Sequence, residues 1–154
     1  PDKPTYREHE QKYFQHEIDS MNEALDEIEL RSADEGIVLD TTGSVIYTGD
    51  DICRRIRRLT TVVYLAVSRE EEGVLISRYL SDPKPVLWGE QFFRLPGETV
   101  KEAVARCYPN LIAHRKVLYE RFAHHTVDLA RLRDPALDAR GFLELLDSQA
   151  RPAR

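Results

Sequence analysis

The sequence predicts an α/β fold, a parallel sheet with flanking helices, and three observations lead there. The runs GIVLD (residues 36–40) and TTVVYLAV (60–67) have the continuous hydrophobicity of strands buried on both faces. The segments around them carry apolar residues at helical spacing. Helix and strand alternate along the chain, which favours right-handed crossovers and parallel pairing. The 154 residues suit a single domain, and the 42% hydrophobic content supplies a core for it.

The elements follow in order. Residues 5–31 predict a long amphipathic helix whose stripe is Phe14, Ile18, Met21, Leu25 and Ile28. GIVLD then predicts a strand ending in Asp40. Residues 48–59, TGDDICRRIRRL, predict a helix with Asp50 and Asp51 in its first turn and arginines towards its end, matching the helix dipole. TTVVYLAV is the second strand, parallel to the first. Residues 69–80 predict another helix. The stretch 81–98 holds three prolines and two glycines and predicts a long loop. Trp88, Phe92 and Phe93 in that loop suit either an anchor to the domain or a lid over a substrate. Residues 99–123 predict a helix broken before Pro109. HTVDL (125–129) is a third strand, residues 138–149 a closing helix, and 149–154 a flexible tail.

Charged residues make up 32% of the chain and the net charge is −5, which gives no support for bulk attraction to nucleic acid or membrane. No apolar run approaches the roughly 20 residues of a bilayer span, and no signal peptide is visible. Cys53 and Cys107 fit no metal-ligand spacing and read as reduced thiols of a cytoplasmic protein. The histidines fit no metal pair either: His9 and His16 are seven apart, and His124 and His125 are adjacent.

Parallel sheets bind ligands beyond the carboxyl ends of their strands, so Asp40, Thr41, Thr42 and Gly43 are the first candidates for chemistry. An acid at that place can assist Mg²⁺; Asp40 and Thr41 equally suit a turn or helix cap. Gly43 lets a backbone approach a ligand. Arg7 and Glu10 lie in line with Phe14 and Ile18, which suits a surface ion pair or a site. Arg115 lies on the apolar stripe of Leu111, Ile112, Leu118, Tyr119 and Phe122. A guanidinium facing inward needs an anion, either an internal acid or a ligand carboxylate or phosphate.

Five motifs, in order, resemble the shikimate kinase family. YREHE is similar to its Phe-Arg-x-x-Glu, and GIVLDTTGSV to its strand followed by Ala-Thr-Gly-Gly-Gly. TTVVYLAVSREE resembles its next strand and helix start, DPKPVL its lid segment, and RKVLYERFAHHTVD its closing helix and strand. The resemblance spans Tyr6 to about Asp128. It implies a three-layer, P-loop-kinase-type parallel sheet and ATP-dependent phosphoryl transfer, assisted by Mg²⁺, to a small hydroxylated, carboxylated metabolite. It implies that Arg7, Thr42, Gly43 and Arg115 bind that substrate, that Asp40 assists the metal, and that Lys84, in the lid-like loop 81–98, steadies nucleotide phosphates.

The departures are equally specific. The family's three-glycine segment is reduced to Thr42, Gly43 and Ser44, and its lid arginine is Lys84, which loses the planar fork. No Gly-x-x-x-x-Gly-Lys-Ser/Thr occurs; no glycine is followed by lysine. The chain therefore reads as a single partial kinase-like domain over 1–154, a fragment without the first, central strand and its phosphate cradle. Alone it is expected to be inactive. The alternative is a non-catalytic binding or interaction module derived from a shikimate kinase.

Overall fold

The structure is a computed structural model and describes residues 1–32 and 35–150. Among the described residues six α-helices and two short strands follow one another, with 3₁₀ turns at Val45–Tyr47 and Gly89–Gln91. Helix α1 runs Tyr6–Leu30 and α2 Asp50–Leu59; strand β1 is Val63–Ala66; α3 is Arg69–Ser81 and α4 Val100–Phe122; strand β2 is His125–Asp128; α5 is Leu129–Leu132 and α6 Ala139–Ala150. The fold is mixed helix with a small parallel sheet, which agrees with the α/β class at that level.

Helix α1 buries the predicted stripe. Met21 and Leu25 are buried, and with Ile52 of α2 they form one core, joined by Ile18, Ile28, Leu39, Val45, Ile56 and Leu59. The outer faces of the two helices are tied by Arg55, which reaches Asp26 and Glu29 at 2.5 and 2.8 Å, and by Arg58, which reaches Glu29 at 2.7 Å.

A second core forms where the loop before α4 folds back. Trp88 is 1% exposed and packs with Cys107 and Leu111 of α4, both fully buried. Tyr79 of α3 stacks on Tyr108 with ring centroids 3.7 Å apart, and Phe92 meets the Trp88 ring edge-on at 5.2 Å. The residues predicted to anchor or cover therefore anchor, in the case of Trp88 and Phe92; Phe93 stays 54% exposed, under the Arg106 guanidinium at 4.4 Å.

Two predicted breaks fall differently. Helix α4 runs through Pro109 without interruption. An interior proline removes a helix hydrogen bond and costs about 3 kcal/mol. Here the cost is offset on both sides: a capping box joins Thr99 and Glu102 at the start, and Cys107 and Leu111 bracket Pro109 in the core. A second capping box, Ser68 with Glu71, starts α3. Residues 149 and 150, predicted as tail, continue α6; the predicted tail over 151–154 lies outside the described residues.

The sheet is the main correction. GIVLD forms no strand, so the strand expected over 36–40, parallel to that near 61–65 either two strand spacings away or directly paired with it, is absent. Instead β1 pairs with β2, parallel, Val63 opposite His125 and Ala66 opposite Asp128. A strand needs a neighbour for its N–H and C=O groups, and none stands beside 36–40 among the described residues. Only Leu39 of that run reaches the core; Ile37 and Val38 are exposed, Val38 at 96%. The β1–β2 start is pinned by Val62, whose carbonyl accepts from His124 and His125 N–H at 2.8 and 3.1 Å. Val62 N–H in turn donates to His124 Nδ1 at 3.0 Å.

Candidate functional site

Two cavities lie along α1, and the loop from Leu39 to Tyr47 contributes residues to both. The first, about 400 Å³, has Arg7, Glu10, Phe14, Tyr47, Glu90 and His114 among its lining residues. The second, about 370 Å³, lies on the other flank of α1 and includes Glu17, Asp40 and Thr42 in its walls.

Gly43 lines neither cavity and is pressed against α4. A Cβ added there would stand 3.3 Å from Arg115 Nη1 and 3.3 Å from Tyr119 Oη. Its backbone is not left-handed, so what favours glycine here is this close approach, which a larger residue would meet only by shifting the two side-chain tips, and not its own torsion. Tyr119 donates its hydroxyl to Gly43 O at 2.5 Å. Burial pushes the Tyr119 phenol up, against the opposing pull of the Arg115 cation, so it stays a donor.

Arg115 does face inward. Its Nη2 donates to Leu87 O at 2.7 Å and its guanidinium lies over the Tyr47 ring, 5.4 Å from the centroid. Its Nε is buried with no acceptor, as is Tyr47 Oη. No acidic side chain forms an ion pair with Arg115 among the described residues. A carbonyl and a ring thus hold a cation for which the sequence demanded an anion.

Arg7 is exposed at the mouth of the first cavity. The expected cleft of Arg7, Arg115 and the 41–43 turn is assembled only in part: Arg7 lines the cavity, while Arg115 and Gly43 meet behind its Tyr47 wall. The Arg7–Glu10 ion pair is not made. Glu10, buried at the start of α1, accepts from Trp88 N–H at 3.0 Å, Gly89 N–H at 2.9 Å and the Tyr6 hydroxyl at 2.6 Å, all through Oε1. Burial and this hydrogen bond push the Tyr6 phenol well above its ordinary range.

Thr42 and Ser44, the hydroxyls beside Gly43, both donate to Glu17 Oε1, Ser44 at 3.1 Å. Asp40 is exposed and shares the second cavity with Glu17, away from the arginines. Lys84 lines neither cavity; it is exposed and paired with Asp82 at 2.7 Å. Among the described residues no three His, Cys, Asp or Glu side chains form a cluster able to hold a metal ion. None of the described helices is long and apolar enough to cross a membrane.

Nucleotide phosphates call for a glycine-rich backbone cradle and its lysine. With no glycine followed by lysine and Lys84 outside both cavities, the residues present do not fit ATP and Mg²⁺. Glu17 and Tyr47 were not singled out from the sequence. Glu17 carried a signal, an acid four residues before Met21 on the buried stripe; Tyr47 carried none. Compared with protein-family models, with curated proteins and with solved structures, the chain matches none.

Proposed function

We propose that this chain is the substrate-recognition part of a shikimate-kinase-like phosphotransferase, and that it binds a small carboxylated, hydroxylated metabolite. One observation carries the reading: Arg115, turned inward against Gly43, has a buried Nε without an acceptor and no acidic partner. Desolvating a guanidinium without an anion is costly. A ligand carboxylate reaching it would complete its hydrogen bonds in the bidentate geometry that Arg favours.

The neighbours suit such a ligand. Tyr47 Oη is a second unpartnered donor at the wall of the first cavity, where the positive charge of Arg7 is opposed by Glu90 on the same lining. Turning Tyr47 aside would join the cavity to Arg115 and Gly43. The parallel β1–β2 pair and the inward Arg115 support membership of a P-loop-kinase-type, three-layer architecture. Nucleotide would have to be held by residues other than those of this sequence, so the chain alone does not transfer phosphate. The non-catalytic binding module is the second reading, favoured by the lack in this sequence of any glycine followed by lysine, the core of a phosphate cradle.

The test is binding, by calorimetry and by amide chemical shifts, with shikimate and with its uncharged methyl ester. Shikimate should bind and shift the amides of residues 41–48 and 87–91, and the ester should bind at least tenfold more weakly. Arg115→Lys should weaken shikimate by about 1.5–3 kcal/mol, the loss of a charge-assisted bidentate contact. Equal binding of acid and ester, or an unaffected Arg115→Lys variant, would refute the assignment.

A further inference from the structure

A buried carboxylate faces the second cavity without a counter-charge. Glu17 is 9% exposed. Its Oε1 takes the Thr42 and Ser44 hydroxyls, while Oε2 is buried and has no donor at all. No lysine, arginine or histidine pairs with it among the described residues. An uncompensated carboxylate in a dry site is unfavourable by several kcal/mol.

The cavity beside it is acidic, with no fixed cation in its walls. Its walls include Glu17 and Asp40 but no lysine or arginine, and His16 is its single basic side chain. Met21, Ala24 and Leu39 give it an apolar part. A cation with an aliphatic body matches both features. A divalent metal does not, since no three-ligand cluster is present among the described residues.

We propose that this cavity binds the primary ammonium group of a small aliphatic amine, with the head on the Glu17 carboxylate and the methylene stem along Met21, Ala24 and Leu39. An ammonium is a compact cation with three donors. One donor satisfies Oε2, and Asp40 adds charge at the entrance. Because Oε2 is closed to water in this structure, entry requires the exposed Thr42 side chain, hydrogen-bonded to Glu17 and part of the same wall, to turn aside. Arg115 is not among the residues lining this cavity, so the proposal stands or falls apart from the carboxylate reading.

The experiment is an amide chemical-shift titration of the whole chain with three probes: n-butylammonium, neutral 1-butanol, and tetramethylammonium, which has charge but no donor. So small a ligand binds weakly, and tens of millimolar are needed. The expected result is saturable shifts in residues 16–24 and 39–44 with n-butylammonium alone. Glu17→Gln should lower that affinity at least tenfold while keeping or raising Tm, since it removes an unpaired buried charge. Asp40→Asn, on an exposed residue, should weaken binding a few-fold without touching stability, and it serves if Glu17→Gln fails to fold. Arg115→Lys should leave butylammonium binding unchanged. Equal shifts from butanol or tetramethylammonium, or full affinity in either carboxylate variant, would overturn the proposal.

Discussion

Replacing Glu10 by alanine should loosen the Trp88 loop before it unfolds the chain. One oxygen of Glu10 receives the Trp88 and Gly89 N–H groups and the Tyr6 hydroxyl. With the carboxylate gone, Trp88 N–H keeps an acceptor, Tyr6 Oη at 2.9 Å. Gly89 N–H keeps none in the vicinity, and a half-buried orphan donor costs about 1–3 kcal/mol. The lost hydrogen bonds to a charged acceptor bring the total to about 2–5 kcal/mol. Glu10→Gln keeps an oxygen in place and loses only the charge assistance, about 1 kcal/mol. For a chain of this size a loss of about 3 kcal/mol lowers Tm by roughly 6–12 °C. Trp88 is the single tryptophan of the chain, so its fluorescence reports this loop alone. In Glu10→Ala the emission should move to the red at temperatures where far-ultraviolet circular dichroism is still native. An unchanged Tm and emission, or a glutamine variant as damaged as the alanine, would refute the account of Glu10 as the clamp of this loop.

Pro109→Ala should stabilise the chain. It restores the N–H that helix α4 lacks there, about 3 kcal/mol, less about 0.4–1 kcal/mol for the greater freedom of the unfolded chain; a Tm at or below that of the parent would show that the proline is not strained. Acid stability should depend on Glu98, whose carboxyl is held down to about 2 chiefly by the Arg106 guanidinium and next by the Leu95 N–H. Its folded pKa lies below the unfolded value of about 4.3, so its contribution is complete above about pH 5 and is lost as the pH falls towards about 2. Urea unfolding followed through that range should lose part of its pH slope in Glu98→Gln, and identical slopes in the two proteins would dismiss the linkage.

Local pattern alone determined much of this protein. The 3.6-residue stripe placed α1 and its buried Met21 and Leu25, the charge order of DDICRRIRRL placed α2, and the apolar runs placed β1 and β2 in register-competent strands. These signals come from residues three or four apart, or from runs of a few residues, and survive without knowledge of the rest of the chain. The inward turn of Arg115 was legible for the same reason. What the sequence could not supply was the partner. GIVLD has strand chemistry, yet a strand exists only when another supplies its hydrogen bonds, and that pairing is long-range. Pro109 breaks helices in isolation, yet the packing of Cys107 and Leu111 carries α4 through it. Arg115 required an anion by elementary electrostatics, and the fold gave it Leu87 O and the Tyr47 ring. Glu10 and Glu17 were ordinary acids on a helix until the Trp88 loop and the 42–44 turn closed over them. Periodicity says which face of an element is buried; only tertiary contact decides what lies against that face, and with it which buried charges find a partner.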